Sequence, residues 1–167
     1  MLVEDIIPEG TRCWKGYEKK GMKTMFGKRV PNCVKREGIE EAEGSYSSWD
    51  HKEPAEYSAH LEKTFGAPDE FTDEQTVWHN KDGFKRIVCR DEYILHGSPA
   101  PHYDFIYCYV DLEVPESLSD ELAKCSGSIL IDHLKNEVGA RCGSLTANAT
   151  TLNFVMDVVA GRAEPEK

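Results

Sequence analysis

"QTVWHNKDGFKRIVCRDEYIL", residues 75–95, holds two runs rich in β-branched and aromatic side chains, separated by Asn80-Lys81-Asp82-Gly83. Asp followed by Gly supplies the positive φ angles of a tight hairpin turn, so the stretch predicts strand, turn, strand. A third run, "DFIYCYVDLEV" (104–114), alternates cleanly. Ile106, Cys108, Val110, Leu112 and Val114 face one way and mark the core side, while Tyr107, Tyr109, Asp111 and Glu113 face the other. Three such runs joined in sequence order predict a three-stranded antiparallel β-meander.

Helical spacing appears on either side of these runs. In "PAEYSAHLEKTFG" (54–66), Tyr57, Leu61 and Phe65 share a helical face and Gly66 is a stop. Beyond Pro115, Ser119 is placed to cap a short helix through Leu122. "SILIDHLKNEVG" (128–139) sets Ile129, Leu130, His133, Leu134 and Val138 along one helical face. "SLTANATTLNFVMDVVAGR" (144–162) offers Ser144 or Thr146 as a cap, the stripe Leu152, Val155, Met156 and Val159, and Gly161 as terminator. The expected fold class is α+β: the meander with helices packed mainly on one face, preceded by a basic irregular N-terminal arm.

The chain has 167 residues, enough for one main core, and its 40% hydrophobic and 30% charged content is that of a globular domain. Its organisation reads as a basic arm (1–37), an acidic linker or loop (38–56), the α+β body (57–161) and a tail (162–167). The charge is sharply divided. Arg12 to Glu37 carries nine Lys/Arg against Glu18 and Glu37, a net of +7, which leaves eleven cations against 28 acids, or −17, for the remainder. Such asymmetry points to contact between the arm and something anionic: nucleic acid, an acidic partner subunit, or the protein's own body.

No apolar run reaches the roughly 18 to 20 residues that a membrane span needs, so no membrane partner is expected. "MLVEDIIPEG" (1–10) has acids where a signal peptide would have lysines, so export by that route is not expected either. Six cysteines, at 13, 33, 89, 108, 125 and 142, include no CxxC pair. Most are expected to be reduced small hydrophobes, with Cys13 and Cys33 the special pair.

Within the arm, Gly16, Gly21 and Gly27 recur too often for a stable helix. Aromatic and basic side chains interleave, and this combination suits single-stranded nucleic acid, with bases stacked on rings and phosphates on cations. The candidate contact residues are Trp14, Lys15, Tyr17, Lys19, Lys20, Lys23, Phe26, Lys28 and Arg29. The strings Cys13-Trp14-Lys15-Gly16-Tyr17, Gly21-Met22-Lys23, Met25-Phe26-Gly27-Lys28 and Pro31-Asn32-Cys33-Val34-Lys35 resemble a short module of uncharacterised and virion-associated proteins of marine tailed phages, especially T4-like cyanophages. That resemblance covers about 25 of the 167 residues. It implies a phage origin, a place in the virion or the host cytoplasm, and a role in the particle; it names no activity and no catalytic residue.

Three candidates for chemistry remain in the body. "HGSPAPHYD" (96–104) carries His96, His102 and Asp104, metal-compatible side chains on a loop stiffened by two prolines, with His79 or His51 as further ligands to consider. Cys142, between glycines just before a predicted helix, is a candidate nucleophile with His133 upstream as its base. Adjacent acids such as Asp91-Glu92 point in different directions and do not form an acid/base pair. No P-loop, GxGxxG, GxSxG or HExxH motif is present, which removes the common nucleotide, hydrolase and zinc-protease signatures. The ranking that follows is a non-enzymatic assembly protein without a resident cofactor, docking through its arm on an acidic protein surface. A nucleic-acid-binding protein comes second, and a metal-dependent or thiol enzyme third.

Overall fold

The structure, a computed structural model, describes residues 17–25, 27–35 and 46–165. Its elements run β1 (Tyr17–Met25), β2 (Lys28–Lys35), α1 (Lys52–Phe65), β3 (Glu70–Phe71), β4 (Gln75–Lys81), β5 (Phe84–His96), β6 (His102–Asp111), α2 (Glu116–Cys125), β7 (Ile129–Asp132), β8 (Glu137–Cys142) and α3 (Leu145–Val159). The α+β class holds, but the three-stranded meander does not. β4, β5 and β6 are the middle of a six-stranded antiparallel sheet ordered β3-β4-β5-β6-β8-β7, and β1 and β2 form a second, two-stranded sheet.

The hairpin at residues 80–83 forms as the sequence dictates, with Asp82 at φ +53° and Gly83 at φ +81°. Two further hairpins correct the expectations. Residues 128–139 are not a helix: Ile129–Asp132 and Glu137–Cys142 pair as strands. The turn between them is local chemistry, because the Asp132 carboxylate accepts hydrogen bonds from the backbone of Leu134 and Lys135, both at 3.1 Å. Such side-chain bonding competes with helix, and Asn136 at φ +49° completes the reversal. Leu134, placed by its spacing on an apolar face, is 99% exposed. The arm is likewise not irregular over Tyr17–Lys35, which is an antiparallel hairpin with a register shift between Lys19 and Met22. Gly21, within that shift, and Gly27, at the turn, have φ of +81° and +73°, a region glycine enters without steric cost.

α1 and α3 cover the sheet face that carries Ile87, Cys89, Ile106 and Cys108. Trp78, Ile87, Ile106, Leu122 and Leu152 are completely enclosed there. Tyr46 and Trp49, from the stretch expected to be a linker, are buried in the same core. α3 begins at the cap expected of it: Ser144 Oγ accepts the Ala147 N–H at 3.2 Å. α2 starts earlier than expected, with Pro115 rather than Ser119 at its cap position. On the opposite face Val77, Val88 and Tyr107 pack together, and Arg86 and Arg90 lie over the rings of Tyr109 and Tyr107 at 4.1 and 4.4 Å. Among the described residues no helix is long and apolar enough to cross a membrane.

Candidate metal centre

One end of the six-stranded sheet gathers the polar side chains. β5 ends at His96, β6 begins at His102 and β8 ends at Cys142. The β5/β6 register sets His96 directly across from His102, while β8 sets Cys142 across from Ile106. His102 and Asp104 are two residues apart on β6, the spacing that sends strand side chains to one side. The ligand atoms of His96, His102 and Asp104 all lie within 4.8 Å of one another.

Asp104 is the unusual member. It is 0% exposed, and neither carboxylate oxygen has a hydrogen-bond partner among the described protein groups. Two imidazole nitrogens are nevertheless close: His102 Nε2 is 3.0 Å from Oδ1 and His96 Nδ1 is 3.2 Å from Oδ2. Both facts hold because a hydrogen bond requires the ring N–H axis to point at the oxygen, and here the separations are short while the axes miss. Arg141 Nε, 3.6 Å from Oδ2, is also beyond hydrogen-bonding reach. Burying a carboxylate without hydrogen bonds is costly, and the groups set against that cost here are the two imidazoles and the Arg141 guanidinium, all near it and none hydrogen-bonded to it.

The tautomer of His102 sharpens the point. Its Nδ1 lies 2.8 Å from the Ala100 carbonyl, which only accepts, so Nδ1 carries the proton. In a neutral ring, Nε2 then carries a lone pair, open to a thiol proton from Cys142 at 3.5 Å or to a cation beside Asp104. Holding one ring nitrogen on a backbone carbonyl is also how metal-ligating histidines are commonly oriented. Ser128 Oγ, in the residue preceding β7, lies 3.3 Å from His96 Nδ1, the same nitrogen that faces Asp104, so an ion bound there would replace this contact. Two histidines and a carboxylate suit a divalent transition metal rather than calcium or magnesium.

Cys142 approaches the same group, its Sγ 3.5 Å from His102 Nε2. The sequence pairs this thiol with His133, but His133 lies in the β7–β8 turn and its Nε2 is 2.9 Å from Ser119 Oγ. Burial pushes the Cys142 thiol up to about 11, and the nearby Asp104 charge adds to the rise, against the backbone hydrogen bonds of Gly143 and Ser144. A nucleophilic dyad would place the carboxylate on the ring nitrogen away from the thiol. Here thiol and carboxylate share Nε2, which suits common ligation better than nucleophile activation.

The other histidines considered do not join. His51 Nδ1 is engaged with Asp91 at 2.9 Å, and His79 Nε2 sits 3.8 Å from Glu70. His102 also borders a cavity of about 630 Å3 whose walls include Tyr57, Tyr103 and Phe105 of the body and Lys23 and Cys33 of the hairpin. Of the arm's candidate contacts, Trp14, Lys15 and Phe26 lie outside the described residues, while Tyr17, Lys19 and Lys28 fall within the strands. Lys20, Lys23 and Arg29 are exposed. Cys33 is disulfide-bonded, whereas Cys89, Cys108, Cys125 and Cys142 are free thiols.

The three-residue ligand set is visible in the sequence as chemistry in one loop, but its convergence depends on the β5/β6 register. Cys142 is visible there only as a thiol near a helix start, and nothing local to it identifies His102 as its neighbour. In comparison with known proteins, the chain matches no family model, no curated protein and no solved structure.

Proposed function

We propose that this protein binds a divalent transition-metal ion through His96, His102 and Asp104. What carries the reading is the Asp104 carboxylate, wholly enclosed and without hydrogen bonds, faced by two imidazole nitrogens at 3.0 and 3.2 Å. The test is equilibrium dialysis of the full chain against zinc followed by elemental analysis. Wild type retains about one equivalent, and Asp104→Asn and His102→Ala retain none while keeping the wild-type circular dichroism. Wild type emerging without zinc, or Asp104→Asn holding as much, overturns the reading. Zinc at 100 times its Kd also stabilises the folded wild type by about 2.7 kcal/mol, and Asp104→Asn by nothing.

A second reading rests on the hairpin, where Lys20, Lys23 and Arg29 are exposed on a segment of strong positive charge. It makes the arm a contact element for an anionic surface, as an assembly component of a phage particle would need, with single-stranded nucleic acid as the alternative partner. Replacing all three by alanine abolishes salt-sensitive binding to an oligonucleotide if the partner is nucleic acid. It leaves particle association as the measurement if no oligonucleotide binds.

A further inference from the structure

We infer that Cys142 is the fourth ligand of this ion, so that β5, β6 and β8 together close a four-coordinate, zinc-class centre of two histidines, one aspartate and one cysteine. The inference rests on the metal-binding reading above and goes beyond it, because a three-ligand site would leave a position for water and this one does not.

The distances carry the argument. With zinc–nitrogen and zinc–oxygen bonds of about 2.1 Å and a zinc–sulfur bond of about 2.3 Å, tetrahedral angles separate nitrogen from oxygen by about 3.4 Å and nitrogen from sulfur by about 3.6 Å. His102 Nε2 lies 3.0 Å from Asp104 Oδ1 and 3.5 Å from Cys142 Sγ, while His96 Nδ1 lies 3.2 Å from the other carboxylate oxygen, Oδ2. The imidazole–thiol separation matches a nitrogen–sulfur edge of a zinc tetrahedron; the two imidazole–carboxylate separations end on different oxygens, so closing the tetrahedron brings one Asp104 oxygen and Sγ inward on binding.

The backbone holds the thiol at that distance. Gly143 follows Cys142 at the passage from β8 into α3, and a Cβ there would lie 3.0 Å from the Tyr103 carbonyl. Glycine lets this turn close against β6, between the two ligands His102 and Asp104, and so brings Sγ up to the ring. Ser144 then caps α3 at once, fixing the exit of the chain. A thiol is a soft donor, which moves the preference from a hard cation towards zinc or cobalt. Coordination replaces the S–H bond by a metal–sulfur bond, and the displaced proton goes to water.

A closed centre is a clasp rather than a hydrolytic site. It ties the end of β5, the start of β6 and the β8–α3 junction into one unit, a role compatible with a non-enzymatic protein.

Cobalt(II) titration of the full chain tests this, because a thiolate ligand gives cobalt an intense near-ultraviolet charge-transfer band that imidazole and carboxylate ligands do not. Wild type is expected to take up one equivalent with the charge-transfer band and strong visible bands of a four-coordinate ion. Cys142→Ser is expected to bind cobalt more weakly and to lose the charge-transfer band entirely, and Cys125→Ser to keep it. Wild-type binding without the band, or a band that persists in Cys142→Ser, overturns the role of Cys142 while leaving the three-ligand reading standing. No cobalt binding by wild type overturns both.

Discussion

Asp104 and Glu137 are two buried carboxylates in neighbouring strands of one sheet, and the protein treats them differently. Glu137, 3% exposed, is gripped by Arg86 at 2.6 and 3.3 Å and by Lys85 at 3.2 Å. Burial alone would raise its pKa, but the two cations overcome this and hold the carboxyl below the usual glutamate range. Asp104 is more deeply enclosed and has nitrogens nearby that hydrogen-bond to neither oxygen. Asp91 resembles Glu137: backbone N–H groups of Asp50 and His51 and the His51 ring all bond to it. A completed set of partners marks a structural ion pair. An incomplete set around a still more buried acid is the observation from which the metal-binding proposal starts.

The sharpest way to break this comparison is to remove one partner from the satisfied acid and the charge from the unsatisfied one. Arg86→Ala takes two charge-assisted hydrogen bonds from the buried Glu137 and leaves it with Lys85 alone, which should cost about 3 kcal/mol in urea unfolding. Asp104→Asn in metal-free protein should stay within about 1 kcal/mol of wild type, since it removes a charge that no hydrogen bond supports. Equal losses in the two variants would erase the distinction.

Gly139→Ala probes the Glu137 side at smaller scale. A Cβ at Gly139 would fall 2.7 Å from Tyr109 Cε1, and Tyr109 is the ring on which the Arg86 guanidinium lies at 4.1 Å. Displacing that ring should cost about 2 kcal/mol of stability and loosen the Arg86 stack with it.

The smallest effect is in the acid limb. Glu137 has a depressed folded-state value, so the stability it contributes is present above the unfolded glutamate range and is lost as pH falls through the folded one. Glu137→Gln should therefore flatten the decline of melting temperature below about pH 4.5. The same profile in the variant as in wild type would show that the pair contributes nothing to acid sensitivity.

Local chemistry makes much of the fold legible. Asp82-Gly83, the alternation from Ile106 to Val110 and the Ser144 cap each act within a few residues, and each appears where expected. The failures share a different physics. Ile129, Leu130, Leu134 and Val138 fit a helical face, but pairing with β8 and β6 decides the outcome, and a short apolar run does not encode its distant partner. The arm's glycines are hostile to helix, as expected; the register shift at Gly21 and the turn at Gly27 show them serving a hairpin instead. At the candidate site, residue types are legible and distances are not. His96 meets His102 through strand register, and Cys142 reaches them only because β8 inserts beside β6.

The borders of the main sheet have a consequence for the behaviour of the protein in solution. At one border stands β3, a two-residue strand, and at the other β7, four residues long with α2 against it. An incoming strand would find few successive backbone groups to pair with, too few to template growth of the sheet. The wide central sheet is thus shielded from edge-to-edge aggregation by brevity at its margins, without a proline or an inward-pointing lysine in either border strand.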